Sequence, residues 1–169
     1  MSVDGVLSRL NPLIAGLLRS PLHPLLSPGL LLLTVTGRRS GRRYTIPVGY
    51  QRDGDDVVVM VSEARHKQWW RNYQEPGPVS LRLRGEDRSG SAGLVAPGSD
   101  EFRELADQTL RRVPYMRRVF RIADYDPGAG LRGDQLDRLG EEIAIVRIRL
   151  APTADYAVGD PRMDRWSAR

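Results

Sequence analysis

Apolar and polar residues alternate along several short segments of the chain, which is the pattern of strands with one buried face. Leu30–Thr36 is an apolar run that ends in β-branched residues, Tyr44–Gln51 is a second candidate strand, and Val57–Ser62 is a third. Between the last two, the sequence RDGDD places Asp53 and Gly54 at the tip of a hairpin turn. The first half of the chain therefore predicts antiparallel strands.

The second half continues the pattern. Val79–Gly85 alternates apolar and polar residues, and Arg88–Val95 is expected to pair with it as a hairpin. A last strand is predicted at Val146–Leu150, where apolar residues are interleaved with two arginines. The total is six strands, which we expect in meander order.

Helical spacing of apolar residues appears at two places. The N-terminal segment repeats apolar residues on one helical face, with Pro12 at a helix start. A second helix is expected to begin at Ser99, whose side chain can cap it, and to be interrupted at Pro114. Tyr115–Ile122 adds a further turn or two, and the following residues 123–142 are predicted as a loop with one helical turn near Leu136.

The chain length and the absence of βαβ rhythm define the fold class. The chain has 169 residues, enough for one domain with a real core. We predict an α+β fold, a closed or split β-barrel of six antiparallel strands with an N-terminal helix and one or two helices before the last strand. The expected divisions are a helical segment at residues 1–28, the barrel at 29–152 and a tail at 153–169.

Charge and composition narrow the function. The net charge is +5, nearly all of the excess is arginine, and there is no cysteine. This balance favours anionic ligands and excludes disulfides and thiolate chemistry. His23 and His66 join no acidic cluster at ligand spacing, so no metal site is predicted. The N-terminus lacks a basic leader and its prolines break every window of membrane-spanning length, so we expect a cytoplasmic protein.

Four arginines crowd the turn GRRSGRR, at residues 37–43, between the first two strands. A glycine-bounded turn can present backbone N–H groups together to an anion, and guanidinium groups match phosphate oxygens in pairs. The alternative is a solvated basic hairpin that keeps a sheet edge polar. The residues by themselves leave both interpretations open.

The neighbouring residues favour a ligand. Pro47 lies within a predicted strand and is expected at an edge, where a flat ring can lie against the sheet. Trp69 and Trp70 follow, with Lys67 and Asn72 near enough in sequence to meet polar ring edges. An anion clamp, an open strand face and aromatic walls together predict a pocket of flavin type.

The segment from about Leu30 to Gly85 resembles the deazaflavin-dependent nitroreductase family of actinobacteria, which are oxidoreductases with a split β-barrel. After an apolar strand, the matching features are T-x-G-R-x-S-G, a short basic link, a proline-containing extended segment, a D-G-D turn, a valine-rich strand and W-x-x-N. In this chain they lie at residues 34–41, 42–43, 47–49, 53–55, 57–62 and 69–72.

The resemblance implies reduced coenzyme F420, a deazaflavin with a phospholactyl-oligoglutamate tail, as hydride donor. It assigns cofactor contacts to three groups of residues. The turn residues that would hold the phosphate and the tail are Arg38, Arg39, Ser40, Gly41 and Arg43. The strand residues that would contact the ring are Ile46, Pro47, Val61 and Ser62. Further contacts to the ring or the tail would come from Lys67, Trp69 and Asn72.

The implied acceptors are flat and electron-poor, namely quinones, nitroaromatics or enones. Tyr115, Tyr125 or solvent would supply the proton. The apolar N-terminal helix suits a lipophilic quinone, with peripheral association at the inner face of the plasma membrane. Oligomeric state is left open between monomer and homodimer.

Three other functions are weighed beside this one. FMN on the same barrel is the first, although one phosphate needs fewer cations than the turn provides. Nucleic-acid binding is disfavoured, because no aromatic platform interleaves the arginines. A non-catalytic cofactor carrier is the third.

Overall fold

The computed structural model describes residues 12–21, 23–38 and 40–152. Its centre is one antiparallel sheet of seven strands in the order β2-β1-β5-β6-β7-β4-β3. The strands are β1 (Leu30–Thr36), β2 (Arg43–Gly49), β3 (Gln51–Asp53), β4 (Asp56–Val61), β5 (Gly77–Leu83), β6 (Glu86–Leu94) and β7 (Ala144–Leu150).

The sheet curls because its two edge strands are consecutive in the chain. β2 and β3 stand at opposite ends of the strand order, yet only Tyr50 separates them. The Tyr50 hydroxyl donates to the Ser27 carbonyl oxygen at 2.9 Å, and the Tyr50 amide donates to the Gly29 carbonyl oxygen at 3.2 Å. These bonds fix the corner at which the chain leaves one edge and enters the other.

The α+β split-barrel class is thus confirmed, with two corrections. There are seven strands and not six, because the predicted strand Tyr44–Gln51 is divided at this corner. The order is not a meander, because β1 lies between β2 and β5, and β4 pairs with β7. Local patterning does not encode which strands pair across long loops.

The barrel interior is filled by the alternate residues that face inward. They are buried aliphatic side chains from five strands, joined by partly buried Ile46 and Val48 of β2. This is the period-two burial expected for strands with one core face. The inner set includes Leu31, Leu33, Val35, Val57, Val59, Val61, Val79, Leu81, Val146 and Ile148.

A second core lies outside the barrel, where helices cover β4 and β7. The helices are α2 (Asp100–Arg112), α3 (Tyr115–Val119) and α4 (Gly133–Glu142). Ser99 caps α2 as predicted, since its Oγ accepts from the Phe102 amide at 3.1 Å. Leu105 and Leu139 are among the buried side chains that pack here against Val58 and Ile145.

α4 corrects the prediction of a loop with one helical turn, and three helices precede the last strand instead of one or two. Its inner face includes Gln135, a polar residue that is fully buried. The Gln135 amide is satisfied, because it accepts from the Arg132 amide at 3.0 Å and donates to the Asp124 carbonyl oxygen at 3.2 Å. A buried glutamine and two glycines obscured the helical pattern.

An N-terminal helix, α1 (residues 12–19), lies on the outer side of β1. Ala15 and Leu18 pack against Leu32, and Leu13 points outward with 75% of its surface exposed. The part of the predicted helix at residues 1–11 and the tail at 153–169 lie outside the described residues. The domain limits at residues 28 and 152 stay a prediction. In the described part of the chain, none of the helices has the length and apolar character needed to cross a membrane.

Arg147 of β7 joins three parts of the fold. Its guanidinium donates to Glu101 at 2.6 Å, to Asp56 at 2.9 Å and to Asp53 at 2.8 Å. Burial by itself lowers the pKa of Arg147, but the bonds to these carboxylates outweigh it and raise that pKa above its ordinary value. Arg147 therefore ties the β3–β4 hairpin and the start of α2 to β7.

Replacing Arg147 by methionine should lower the free energy of unfolding by about 2 kcal/mol, because three carboxylates would then face one another without a counter-charge. Urea unfolding at pH 7 measures the change. Arg149→Met is the matched control on the same strand, since Arg149 is exposed and has no ion pair within the described residues, and its effect should stay within about 0.5 kcal/mol. Equal losses in the two variants would contradict the role given to Arg147.

Candidate cofactor site

The turn between β1 and β2 is held in shape by its own backbone. The Gly37 amide donates to the Arg42 carbonyl oxygen at 3.0 Å, and the Gly41 amide donates to the Gly37 carbonyl oxygen at 2.8 Å. Gly41 has a φ of 63°, a left-handed conformation that favours glycine. A Cβ at Gly37 would lie 2.7 Å from Ser40 Oγ, so a side chain there would require Ser40 to change its rotamer.

The turn is tied to the 3₁₀ helix Trp69–Tyr73. The Arg38 amide donates to Asn72 Oδ1 at 3.0 Å, and the Arg38 guanidinium donates to Gln74 Oε1 at 3.3 Å. Asn72 is itself fixed, because its Nδ2 donates to the Trp69 carbonyl oxygen at 2.8 Å. Two groups of residues that lie about 30 positions apart in the chain are thereby brought together at one end of the barrel.

The turn carries positive charge that no described carboxylate neutralises. Arg38, Arg42 and Arg43 are exposed, and none has an ion pair among the residues that the structure describes. Arg132 and Arg147, by contrast, each contact two or more carboxylates. Arg39, also predicted to bind the cofactor, lies outside the described residues.

The end of β4 lies at the same end of the barrel. β1 and β4 both run toward it, as the chain of antiparallel pairings requires, and the 3₁₀ helices Ala64–His66 and Trp69–Tyr73 follow β4 there. Val61 is buried in the barrel core, and Lys67 Nζ donates to Ser62 Oγ at 3.2 Å. Trp69 is buried in the same core cluster as Val61.

Ile46 and Pro47 lie on opposite faces of β2, because neighbouring strand residues alternate. Ile46 packs against the barrel core. Pro47 pairs with Leu32 on an edge strand, as predicted for a residue that cannot donate to a ladder. Only one of the two side chains can therefore face a ligand on a given side of the sheet.

Tyr73 is a site candidate that the sequence did not suggest. Its side chain is only 3% exposed, yet its hydroxyl has no hydrogen-bond partner among the described residues. The ring meets Trp69 edge-on with centroids 6.4 Å apart. Burial, together with nearby Tyr44, raises the pKa of Tyr73 to about 12, so its hydroxyl stays protonated and able to donate. The only sequence signal is its position directly after Asn72.

The two tyrosines predicted as proton donors belong to the helical layer. Tyr115 is 65% exposed on α3. Tyr125 is buried, and its hydroxyl accepts from Arg111 Nε at 3.2 Å and donates to the Asp107 carbonyl oxygen at 3.4 Å. Burial raises the pKa of Tyr125, with the Arg111 bond opposing it. No hydrogen bond among the described residues links either tyrosine to the arginine turn.

Comparison of the sequence with models of known protein families identifies the family to which the chain belongs. Residues 22–121, more than half of its length, match the model of the F420H(2)-dependent quinone reductase family. The chain belongs to this family.

Relatives agree with the assignment. The chain is 33% identical over 99 residues to "Putative F420H(2)-dependent quinone reductase Rv3178" of Mycobacterium tuberculosis, a match that spans 57% of this chain and 74% of that protein. An F420-H2 dependent reductase, FDR-A, has the same fold, with a TM-score of 0.50 and 15% identity over 71% of this chain and 93% of that one. As a member of this F420H(2)-dependent quinone reductase family, the chain is an oxidoreductase.

The turn fits the anionic part of the coenzyme that the family uses. Its guanidinium groups have no carboxylate partner among the described residues, and Gly37 and Gly41 keep the backbone open around Ser40. The hydroxyl of Tyr73, in the 3₁₀ helix bonded to the turn, adds a donor that no described residue uses. These are the donor groups that a phosphate and a heteroaromatic ring with carbonyl edges require.

Replacing Tyr73 by phenylalanine should leave the free energy of unfolding unchanged or raise it by up to about 1 kcal/mol, because an unsatisfied buried hydroxyl is removed. Tyr125→Phe is the matched control, since it removes a hydroxyl that is hydrogen-bonded, and it should cost about 1 kcal/mol. Urea unfolding without added cofactor measures both. A larger loss for Tyr73→Phe than for Tyr125→Phe would show that the Tyr73 hydroxyl already has a partner.

Proposed function

We propose that the chain binds reduced F420 at the arginine turn and delivers its hydride to a quinone. The observation that carries the proposal is the turn itself, whose cations lack carboxylate partners in the described structure and whose backbone is bonded to Asn72. Arg38, Ser40, Gly41 and Arg43 would hold the phosphate and the acidic tail. Ser62, Lys67 and Asn72, which lie at the same end of the barrel, would serve the ring or the tail.

When bound, reduced F420 supplies a hydride, and a hydride plus one proton converts a quinone to a hydroquinone. The protein's part is to bind, orient and exclude water. The buried wall of Trp69 and Val61 excludes water, and the Asn72 bond sets the turn in register with that wall. Nitroaromatics and conjugated enones need the same hydride and are the further acceptors to test.

A proton donor is the remaining requirement. Tyr115 has an exposed side chain, whereas the Tyr125 hydroxyl is already bonded to Arg111. Tyr115 and solvent are therefore the better candidates, and Tyr125 would contribute by holding α2 in place.

FMN is the second candidate cofactor. It carries a single phosphate, while the turn presents at least three exposed guanidinium groups, Arg38, Arg42 and Arg43. The surplus of cations favours the polyanionic coenzyme. Titration of each cofactor against quenching of intrinsic tryptophan fluorescence separates the two, because Trp69 lies beside the proposed site. Tight binding of FMN together with no response to F420 would reverse the assignment, and binding of F420 without turnover of any acceptor would indicate a carrier.

Replacing Arg38 by glutamine should raise the Kd for F420 about 10- to 100-fold, which corresponds to the loss of about 1.5 to 3 kcal/mol in a charge-assisted hydrogen bond. Arg118→Gln is the matched control, because Arg118 is an exposed arginine on α3 with the same change of charge. Fluorescence titration at fixed ionic strength measures both. Equal weakening in the two variants would indicate general charge attraction and not a site at the turn.

Replacing Asn72 by alanine should weaken F420 binding about tenfold while leaving the turn arginines in the sequence. The reason is that the Arg38 amide loses its acceptor and the turn is no longer held against Trp69–Tyr73. Gln68→Ala is the control, since Gln68 directly precedes this helix and its side chain is hydrogen-bonded to Arg71 and to no other described residue. An unchanged Kd for Asn72→Ala would remove Asn72 from the site.

A further inference from the structure

A row of hydroxyl side chains crosses four adjacent strands on the outer face of the barrel. In register, Thr45 of β2 pairs with Thr34 of β1, Thr34 pairs with Ser80 of β5, and Ser80 pairs with Ser89 of β6. The Thr34 and Thr45 hydroxyls are hydrogen-bonded to each other at 2.9 Å. With strands about 4.8 Å apart, the row extends for roughly 14 Å.

The row lies in the floor of two adjoining cavities of about 630 and 700 Å³, which share Thr34, Arg43, Ser80 and Ser89. Among the described residues, five arginines border the combined groove, four in the first cavity and Arg149 in the second. Asp87, in the first cavity, is the only described carboxylate that lines either one. Asp87 is already paired with Arg82 at 3.0 Å. The remaining guanidiniums are those of Arg19, Arg43, Arg88 and Arg149, so the groove has an excess of positive charge.

One donor in the groove is buried without an acceptor. Arg82 Nε is inaccessible to solvent and has no hydrogen-bond partner among the described residues, while the same guanidinium binds Asp87 through Nη1. A buried N–H without an acceptor is unfavourable, and it adds to the cost of the surplus positive charge around the groove.

Charge and composition discriminate between possible occupants. A second copy that presented the same face would bring five more arginines against these five, which is unfavourable for a two-fold interface. No aromatic side chain from the described part of the chain lines either cavity, so these residues offer no stacking platform for nucleobases. Hydroxyl donors in a row with guanidinium groups at the margins fit a flexible chain of carboxylates or phosphates.

We infer that this outer groove is an oligoanion site and that its ligand is the acidic tail of the coenzyme, an inference that rests on the proposed function. Arg43 makes the connection, because it belongs both to the arginine turn and to the two cavities. A phosphate held at the turn would leave the tail at the start of the groove. Ser80, Ser89 and whichever of Thr34 and Thr45 does not already donate to the other would then donate to successive carboxylates.

The test compares full-length F420 with the deazaflavin riboside that lacks the phosphate and the glutamates. The variant is the double substitution Arg88→Gln and Arg149→Gln, which spares every residue assigned to the turn and the ring. The matched control is Arg112→Gln with Arg118→Gln, two exposed arginines of the helical layer. Tryptophan fluorescence titration gives the Kd for each pair.

The expected result is a Kd for F420 at least tenfold higher in the groove variant, an unchanged Kd for the riboside, and no change for either ligand in the control. An unchanged Kd for F420 in the groove variant would overturn the inference, as would an equal loss of riboside binding. A sedimentation experiment in which the wild type is a dimer and the groove variant a monomer would also overturn it.

Failure of the proposed function gives a different pattern, in which the wild type binds neither F420 nor the riboside. Free oligo-γ-glutamate is then the probe. Binding to the wild type and at least tenfold weaker binding to the groove variant would support the oligoanion site without the coenzyme. No binding to the wild type would overturn that too.

Discussion

The closure of the sheet at Tyr50 is the constraint on which the rest of the structure depends. Because β2 and β3 are one continuous stretch of chain, the two ends of a seven-stranded sheet are covalently joined, and the sheet must curl around its apolar face. Curling leaves two different surfaces. The inner one is filled with aliphatic side chains, and the outer one is divided between helices on β4 and β7 and a polar face on the other strands.

The same closure places the charges. Antiparallel pairing sends the ends of β1 and β4 to one end of the barrel, so the arginine turn and the 3₁₀ helices after β4 meet there and are joined through Asn72. On the outside of β7, Arg147 gathers three carboxylates and neutralises them. The positive charge of Arg147 is thus neutralised by carboxylates, whereas the arginines of the turn and of the outer face remain available to bind an anionic ligand.

Family membership and geometry answer different questions. The match over residues 22–121 assigns the F420H(2)-dependent quinone reductase family. The geometry indicates which residues of this chain could contact a ligand, and some of them lie outside the sequence motif of the family. Tyr73 has a buried hydroxyl without a partner among the described residues. The hydroxyl row from Thr45 to Ser89 is formed only by the register of four strands.

The strands, the helix cap at Ser99, the turn at Gly54 and the basic turn were predictable from the sequence, because each depends on residues close together in the chain. Strand order was not, since the pairing of β4 with β7 joins segments about 90 residues apart and is decided by packing of the barrel core. α4 was underestimated because its buried Gln135 is satisfied only by tertiary hydrogen bonds. For the candidate site, the number of guanidinium groups on one turn led to the prediction of an anionic ligand. Only the tertiary structure decided which side chains share a surface, because alternation puts neighbouring residues such as Ile46 and Pro47 on opposite faces while register aligns distant ones.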